Sequence, residues 1–413
     1  MPNGIEQNVG TGASTGKLTR PSRLANKGHR FHETAVRTWL SALSVLAACA
    51  PTLGAQRVWQ RTAYPYLYYL TADGLWIGAR YARYSPIGFK ERPEPNAAAF
   101  SLDAAASVQG SYAIVADAQA PALWDGWRVG FTLAVARENR LGFYGLGNDT
   151  PPAADSVTAT APYYYQVSRT HGGARFTLER RIAGPLRALA GAAFERTDFR
   201  SLPGPSVFRT SVANGVVDST TIPLNDGVLR VGVVLDTRDN ELDPHAGIMV
   251  EGLFASGNGY TRTTGVMRAY AHPLTRLVLA GRIAGEDMGG TPPVAAQQWM
   301  ESSGRPFIAV GGYRSLRGFY DARFLGPAKL LAGAEIRYAV VLSPTVVEVK
   351  VVGFYDAGRV FAPGESFRLT TNGLHQAGGL EFFLRALRNG LVVAGVGVST
   401  EGAQLAFGTQ WSY

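Results

Sequence analysis

From residue 64 onward, apolar and polar positions alternate with a period of two in runs of roughly ten residues, the spacing that sends successive side chains to opposite faces of a strand. Sixteen runs qualify: 64–72, 74–84, 97–108, 111–120, 126–138, 163–181, 186–199, 227–238, 246–257, 262–272, 276–287, 328–342, 345–358, 375–386, 389–400 and 402–413. In the last, Ala403, Leu405, Phe407, Thr409, Trp411 and Tyr413 share one face, and Gly402, Gln404, Ala406, Gly408, Gln410 and Ser412 share the other. Likewise Leu229, Val231, Val233 and Leu235 oppose Arg230, Asp236 and Arg238, and Leu186, Ala188, Ala190 and Phe194 oppose Arg187 and Glu195. Asp73-Gly74, Asp125-Gly126, Asp226-Gly227 and Asn389-Gly390 carry turn chemistry suited to positive φ. Asp243-Pro244-His245-Ala246-Gly247 separates two further runs.

Two all-β architectures fit such a pattern, a soluble sandwich with its polar face in water and a transmembrane barrel with its apolar face in lipid. The connections choose between them. In an even-stranded barrel with both ends in the periplasm, alternate connections lie outside and are the long ones. Here 139–162, 200–226, 288–327 and 359–374 all fall on one side, while 85–96 is the longest on the other. The expectation is a 16-stranded antiparallel transmembrane β-barrel in a bacterial outer membrane.

Composition narrows this further. Apolar residues make up 46% and charged residues 17%, yet no apolar run reaches the ~18 residues a membrane helix needs. The formal net charge is +9, but residues 1–56 hold six Lys/Arg against two Asp/Glu. The remaining charge is spread without a basic block, which argues against nucleic-acid binding. Lys27, Arg30 and Arg37, an apolar core from Trp39 to Ala50, and small residues up to Ala55 form an export signal after a long polar n-region. The domains are therefore read as a signal peptide over 1–55 and a barrel over 56–413. Leu46-Ala47-Ala48-Cys49 offers a lipoprotein cleavage box as the alternative.

The longest outer connection contains Gly311-Gly312-Tyr313-Arg314-Ser315-Leu316-Arg317-Gly318-Phe319-Tyr320, followed by Leu325-Gly326-Pro327. Loops of that length in a compact chain are usually functional or disordered. The later strand carries Phe354-Tyr355-Asp356-Ala357-Gly358, and its alternation turns Asp356 inward; that of 328–342 turns Glu335 and Arg337 inward. A tight turn at Ser343-Pro344 pairs 335 with 352, leaving Glu335 ~13 Å along the strands from Asp356. On that register Arg317 holds Asp356, with Glu335 a weaker alternative rather than a second partner.

These stretches, with Asp236-Thr237-Arg238-Asp239-Asn240 and its following Pro244 and Gly247, resemble the barrel of the BamA/TamA family of outer-membrane assembly and translocation proteins. Phe143-Tyr144-Gly145-Leu146-Gly147-Asn148-Asp149 also looks family-like. The resemblance implies that the long loop folds into the lumen, where the positions matching the family's lock are Arg317, Gly318 and Phe319 against Asp356. It also implies a seam between first and last strands that opens sideways; Pro65, Leu67, Ala406 and Gly408 are the positions of interest there. Family members that handle proteins carry periplasmic transport-associated repeats, and residues 56–63 leave no room for one. The expected function is insertion or translocation of outer-membrane or secreted proteins, or of lipid, with outer-membrane lipid as the surrounding partner and a monomer favoured. The alternative is a structural or passive-pore barrel. No enzyme, cofactor or metal is expected, since His171, His245, His272 and His375 are scattered and no nucleophile motif accompanies them.

Overall fold

The computed structural model describes residues 58–70, 73–87, 93–150, 156–343, 347–386 and 390–408. The predicted signal segment with Ala55 and Cys49, and the end of the last predicted strand at 409–413, lie outside the described residues.

One 16-stranded antiparallel sheet forms the wall. Its strands are β1 (Gln60–Leu70), β2 (Gly74–Pro86), β3 (Asn96–Ser107), β4 (Tyr112–Trp124), β5 (Trp127–Gly142), β6 (Gln166–Ala183), β7 (Leu186–Ser201) and β8 (Leu224–Asp236). They continue as β9 (Gly247–Ser256), β10 (Tyr260–Leu274), β11 (Leu277–Gly290), β14 (Ala328–Ser343), β15 (Val347–Phe361), β16 (His375–Ala386), β17 (Gly390–Ser399) and β18 (Gly402–Gly408). Each pairs with its neighbour along the chain, and the edges β1 and β18 come into contact at the closing seam. A two-residue pair, β12 (Trp299–Met300) with β13 (Phe307–Ile308), lies within the long loop.

The distribution of exposure is inverted relative to a water-soluble sheet. Leu229 and Val231 are 69% and 55% exposed, whereas Arg230 between them is 1% exposed. Leu380 and Phe382 are likewise exposed around a fully buried Glu381. An apolar exterior and a charged, enclosed interior are what hydrocarbon outside and a polar lumen inside require. Among the described residues no helix is long and apolar enough to cross a membrane; the strands cross it.

Gly74 and Gly126 adopt φ +74° and +69°, as their turns demand. Asp226-Gly227 departs from expectation, lying within β8 opposite Glu195 and Phe194. Asp226 is used as an acceptor instead, for the hydroxyl of Tyr260 at 2.6 Å and the backbone N–H of Asn258 at 3.1 Å. The connection before β8 contains a short helix, Val207–Ala213, capped by the Ser206 hydroxyl accepting from the Arg209 N–H.

The loop between β11 and β14 has an apolar core of its own against the inner wall. Met300, Phe307, Val310, Leu316, Phe319 and Phe324 pack on inward Val266, Ala284, Leu331, Val360 and Ala377. Outer connections close over it: Phe143, Phe208, Val294, Ala322 and Leu325 form a second buried cluster with Val167 and Phe199 of the wall.

Candidate functional site: a cation held by three strands

Arg317 is delivered to the wall by a loop that folds on itself. Gly311 and Gly312 take φ +118° and +98°; a Cβ on Gly311 would lie 2.4 Å from the Tyr320 carbonyl oxygen. Only glycine tolerates both the left-handed backbone and that approach. Ser315 closes the turn, its hydroxyl donating to the Ala309 carbonyl at 2.7 Å and accepting from the Gly311 N–H at 3.0 Å.

The guanidinium then meets three carboxylates from three successive strands. Nε and Nη2 donate to the two oxygens of Asp356 at 2.7 and 2.9 Å, in a bidentate fork. Nη1 donates to Glu335 Oε1 at 2.7 Å and to Glu381 Oε2 at 3.1 Å. The Arg317 backbone N–H also reaches Asp356, at 3.2 Å, and the guanidinium lies 3.8 Å from the Phe354 ring centroid. All four charged side chains are at most 1% exposed. Arg337 shares the load by donating to Glu335 Oε2 at 2.7 Å.

The expected choice between Asp356 and Glu335 is corrected here. Residues 344–346 separate β14 from β15 and a bulge intervenes between Ala339 and Val341, so Gly333 faces Asp356 and Glu335 faces Phe354. Glu335 therefore stands two residues along β14 from the position opposite Asp356, within reach of the same guanidinium. Glu381 of β16 was not anticipated, although its place between exposed Leu380 and Phe382 marks it as inward.

Gly318 (φ +95°) lies against β16 and β17: a Cβ there would sit 3.0 Å from the Ala377 Cβ and 3.2 Å from backbone carbons of Gly397 and Val398. Its carbonyl accepts from the Ser399 hydroxyl at 2.7 Å. Phe319 is buried, edge-on to Phe324 and His375. The seam positions are elsewhere: Pro65 and Leu67 lie on β1 opposite Ala79 and Ile77, and Ala406 and Gly408 on β18 opposite Gly395 and Val393.

The loop is tied across the whole lumen. Glu301 accepts from Arg230 of β8 at 3.0 Å and from Arg175 of β6, and Arg305 pairs with Asp117 of β4 at 3.0 Å. On the far side, Arg323 binds Glu401 of the β17–β18 turn at 2.6 Å. Asn148, in the stretch 143–149, was given no role by sequence reasoning. It stitches the outer connections together, accepting from the Val360 N–H at 3.1 Å and donating to the Gly373 carbonyl at 2.9 Å.

At the opposite end, the β8–β9 turn crosses to distant strands. Lys350 of β15 donates to both Asp243 oxygens at 2.8 and 2.6 Å, and Arg128 of β5 donates to Glu241 at 2.9 Å. The Glu241 N–H reaches the Pro93 carbonyl at 3.0 Å. Asp243, His245 and Glu348 present ligand atoms within 4.8 Å of one another, but the Lys350 ammonium already contacts both carboxylates. That cation supplies the positive charge a metal ion would bring.

The Omp85 superfamily domain matches residues 119–406. The chain belongs to the Omp85 superfamily. As an Omp85 barrel it resides in the outer membrane, and its fold is similar to that of BamA from Haemophilus ducreyi lacking POTRA domains 1–3. That similarity has a TM-score of 0.52 at 14% identity, over 85% of this chain and 69% of that one. It is also similar to CdiB from Escherichia coli, with a TM-score of 0.52 at 10% identity, over 87% of this chain. This chain spans 62% of that CdiB. No curated protein matches it in sequence.

Proposed function

We propose that this Omp85 barrel inserts proteins into the outer membrane, or translocates them or lipid across it, with loop 291–327 as its plug and the β1–β18 edge as its lateral gate. The observation that carries the reading is the Arg317 cluster. It fixes the loop to β14, β15 and β16, and Gly318 and Ser399 extend the contact to β17, next to the strand that meets β1. A plug fastened there holds the wall beside the gate and fills the lumen until it is displaced. Clients are unfolded outer-membrane or secreted polypeptides, with lipid as the medium or a second cargo; chemistry on a substrate has no role in this scheme.

Planar-bilayer conductance tests it. The unaltered protein should give small, fluctuating currents, and Arg317→Ala should enlarge them by loosening the loop. A large, steady conductance in the unaltered protein, unchanged in Arg317→Ala, would instead mark a passive pore.

A further inference from the structure

A second group of arginines beside the Arg317 cluster has no matching carboxylates. Arg268 and Arg282 face each other directly across β10 and β11, and both side chains point into the lumen. Like charges placed opposite one another destabilise a sheet. Arg314 joins them from the loop: Arg282 Nη1 donates to the Arg314 carbonyl at 2.8 Å, and Nη2 to that of Ser315 at 3.0 Å. Backbone carbonyls satisfy hydrogen bonds without cancelling charge.

The other contacts offer little compensation. Arg268 donates to the Met249 sulfur at 3.6 Å, Arg282 lies over the Phe307 ring, and the Nε groups of Arg268 and Arg314 have no hydrogen-bond partner. Among the described residues no carboxylate pairs with Arg268 or Arg314. Arg305 nearby is paired with Asp117. Glu251, one inward position beyond Met249 on β9, accepts from the Ser303 N–H at 3.0 Å. Burial, then Arg268, Arg282 and Arg305, push the Arg314 guanidinium down to about 10. Even if the neighbouring lock is counted in, the guanidiniums of Arg268, Arg282, Arg314, Arg317 and Arg337 outnumber the carboxylates of Asp356, Glu335 and Glu381.

We infer that Arg268, Arg282 and Arg314 form a binding site in the lumen for a phosphate-class oxyanion. Guanidinium forks suit a ligand that presents several oxygens at once. Arg268 and Arg314 are only half-buried, so an anion can reach them. The phosphate would arrive either as a free solute or as the head of a lipid.

The test uses the full chain, folded in a non-ionic detergent and delipidated. It is titrated calorimetrically with inorganic phosphate and pyrophosphate against chloride at constant ionic strength. Saturable binding is expected, weakened about tenfold or more in Arg314→Gln and Arg268→Gln, since each removes a charge-assisted donor, and retained in Arg180→Gln at the far rim. Binding in delipidated protein identifies a free oxyanion as sufficient. If it is absent there, a phosphate-headed lipid that co-purifies with undelipidated protein and is lost from Arg314→Gln identifies the lipid source. Neither saturable phosphate binding nor a retained phospholipid in the unaltered chain would overturn the proposal, whatever the variants do. So would ligand retention undiminished in both variants.

Discussion

Arg317 concentrates the energetics of the lumen at one residue. A buried charge that loses its partner typically costs roughly 3–5 kcal/mol, and here truncation strands Asp356, Glu335 and Glu381 together, with Arg337 left to serve only Glu335. Arg317→Ala should therefore lower unfolding stability by about that amount, read from the urea midpoint of the folded barrel in detergent. Arg317→Lys should recover less than half of it, because a point-charge ammonium cannot reproduce the fork to Asp356 while also reaching the two glutamates. Asp321 gives a pH readout at the same scale. Burial, with Glu138 adding to it, pushes its carboxyl up to about 6, above the ordinary aspartate value of about 3.9. Raising the folded pKa penalises the ionised form, so the penalty is full above about pH 6 and fades as pH falls towards 4. The loop should thus be more stable at pH 4.5 than at pH 7, by on the order of 2 kcal/mol. Asp321→Asn should flatten that dependence in urea titrations run at both pH values.

Elements were legible where alternation was strict and less so where register depended on a turn. Period-two patterning marked each strand of the wall and its lipid face, since one face of every strand had to meet hydrocarbon. It placed Asp356 and Glu335 inward, but it contained no signal for the bulge between Ala339 and Val341; that bulge, with the length of the connection after β14, decides which residues share Arg317. Glu381 carried the same inward signature and was missed because attention followed the loop and the two strands after it. Asn148 was hidden for another reason: its partners, Val360 and Gly373, lie more than 200 positions away in sequence. The β8–β9 turn makes its own prediction. Lys350→Met leaves Asp243 buried without its ammonium and should cost about 3 kcal/mol. Adding Asp243→Asn should restore most of the loss in the same denaturation assay, and a purely additive double variant would show that the pair is not coupled.

Across the whole barrel, polar contacts join parts of the wall that the ladder keeps far apart, while β1 and β18 meet without a strand pairing among the described residues. If that edge opens during work, a cysteine at Leu67 combined in turn with cysteines at positions 403 and 405 should yield a cross-linked pair. Under oxidising conditions that pair should abolish client insertion into proteoliposomes, and reductant should restore it. Full activity in the cross-linked form would exclude lateral opening.

The β8–β9 turn also bears on how such a barrel is made. Asp243 is completed by Lys350, a partner 107 positions later in the chain, and Arg317 by Glu381, 64 positions later. An unfinished wall would carry these charges unmatched beside hydrocarbon, at a cost that rises as threading proceeds and is relieved only when the final hairpins dock. Biogenesis of this molecule should therefore proceed with little accumulation of stable half-built forms, its C-terminal strands serving as the commitment step.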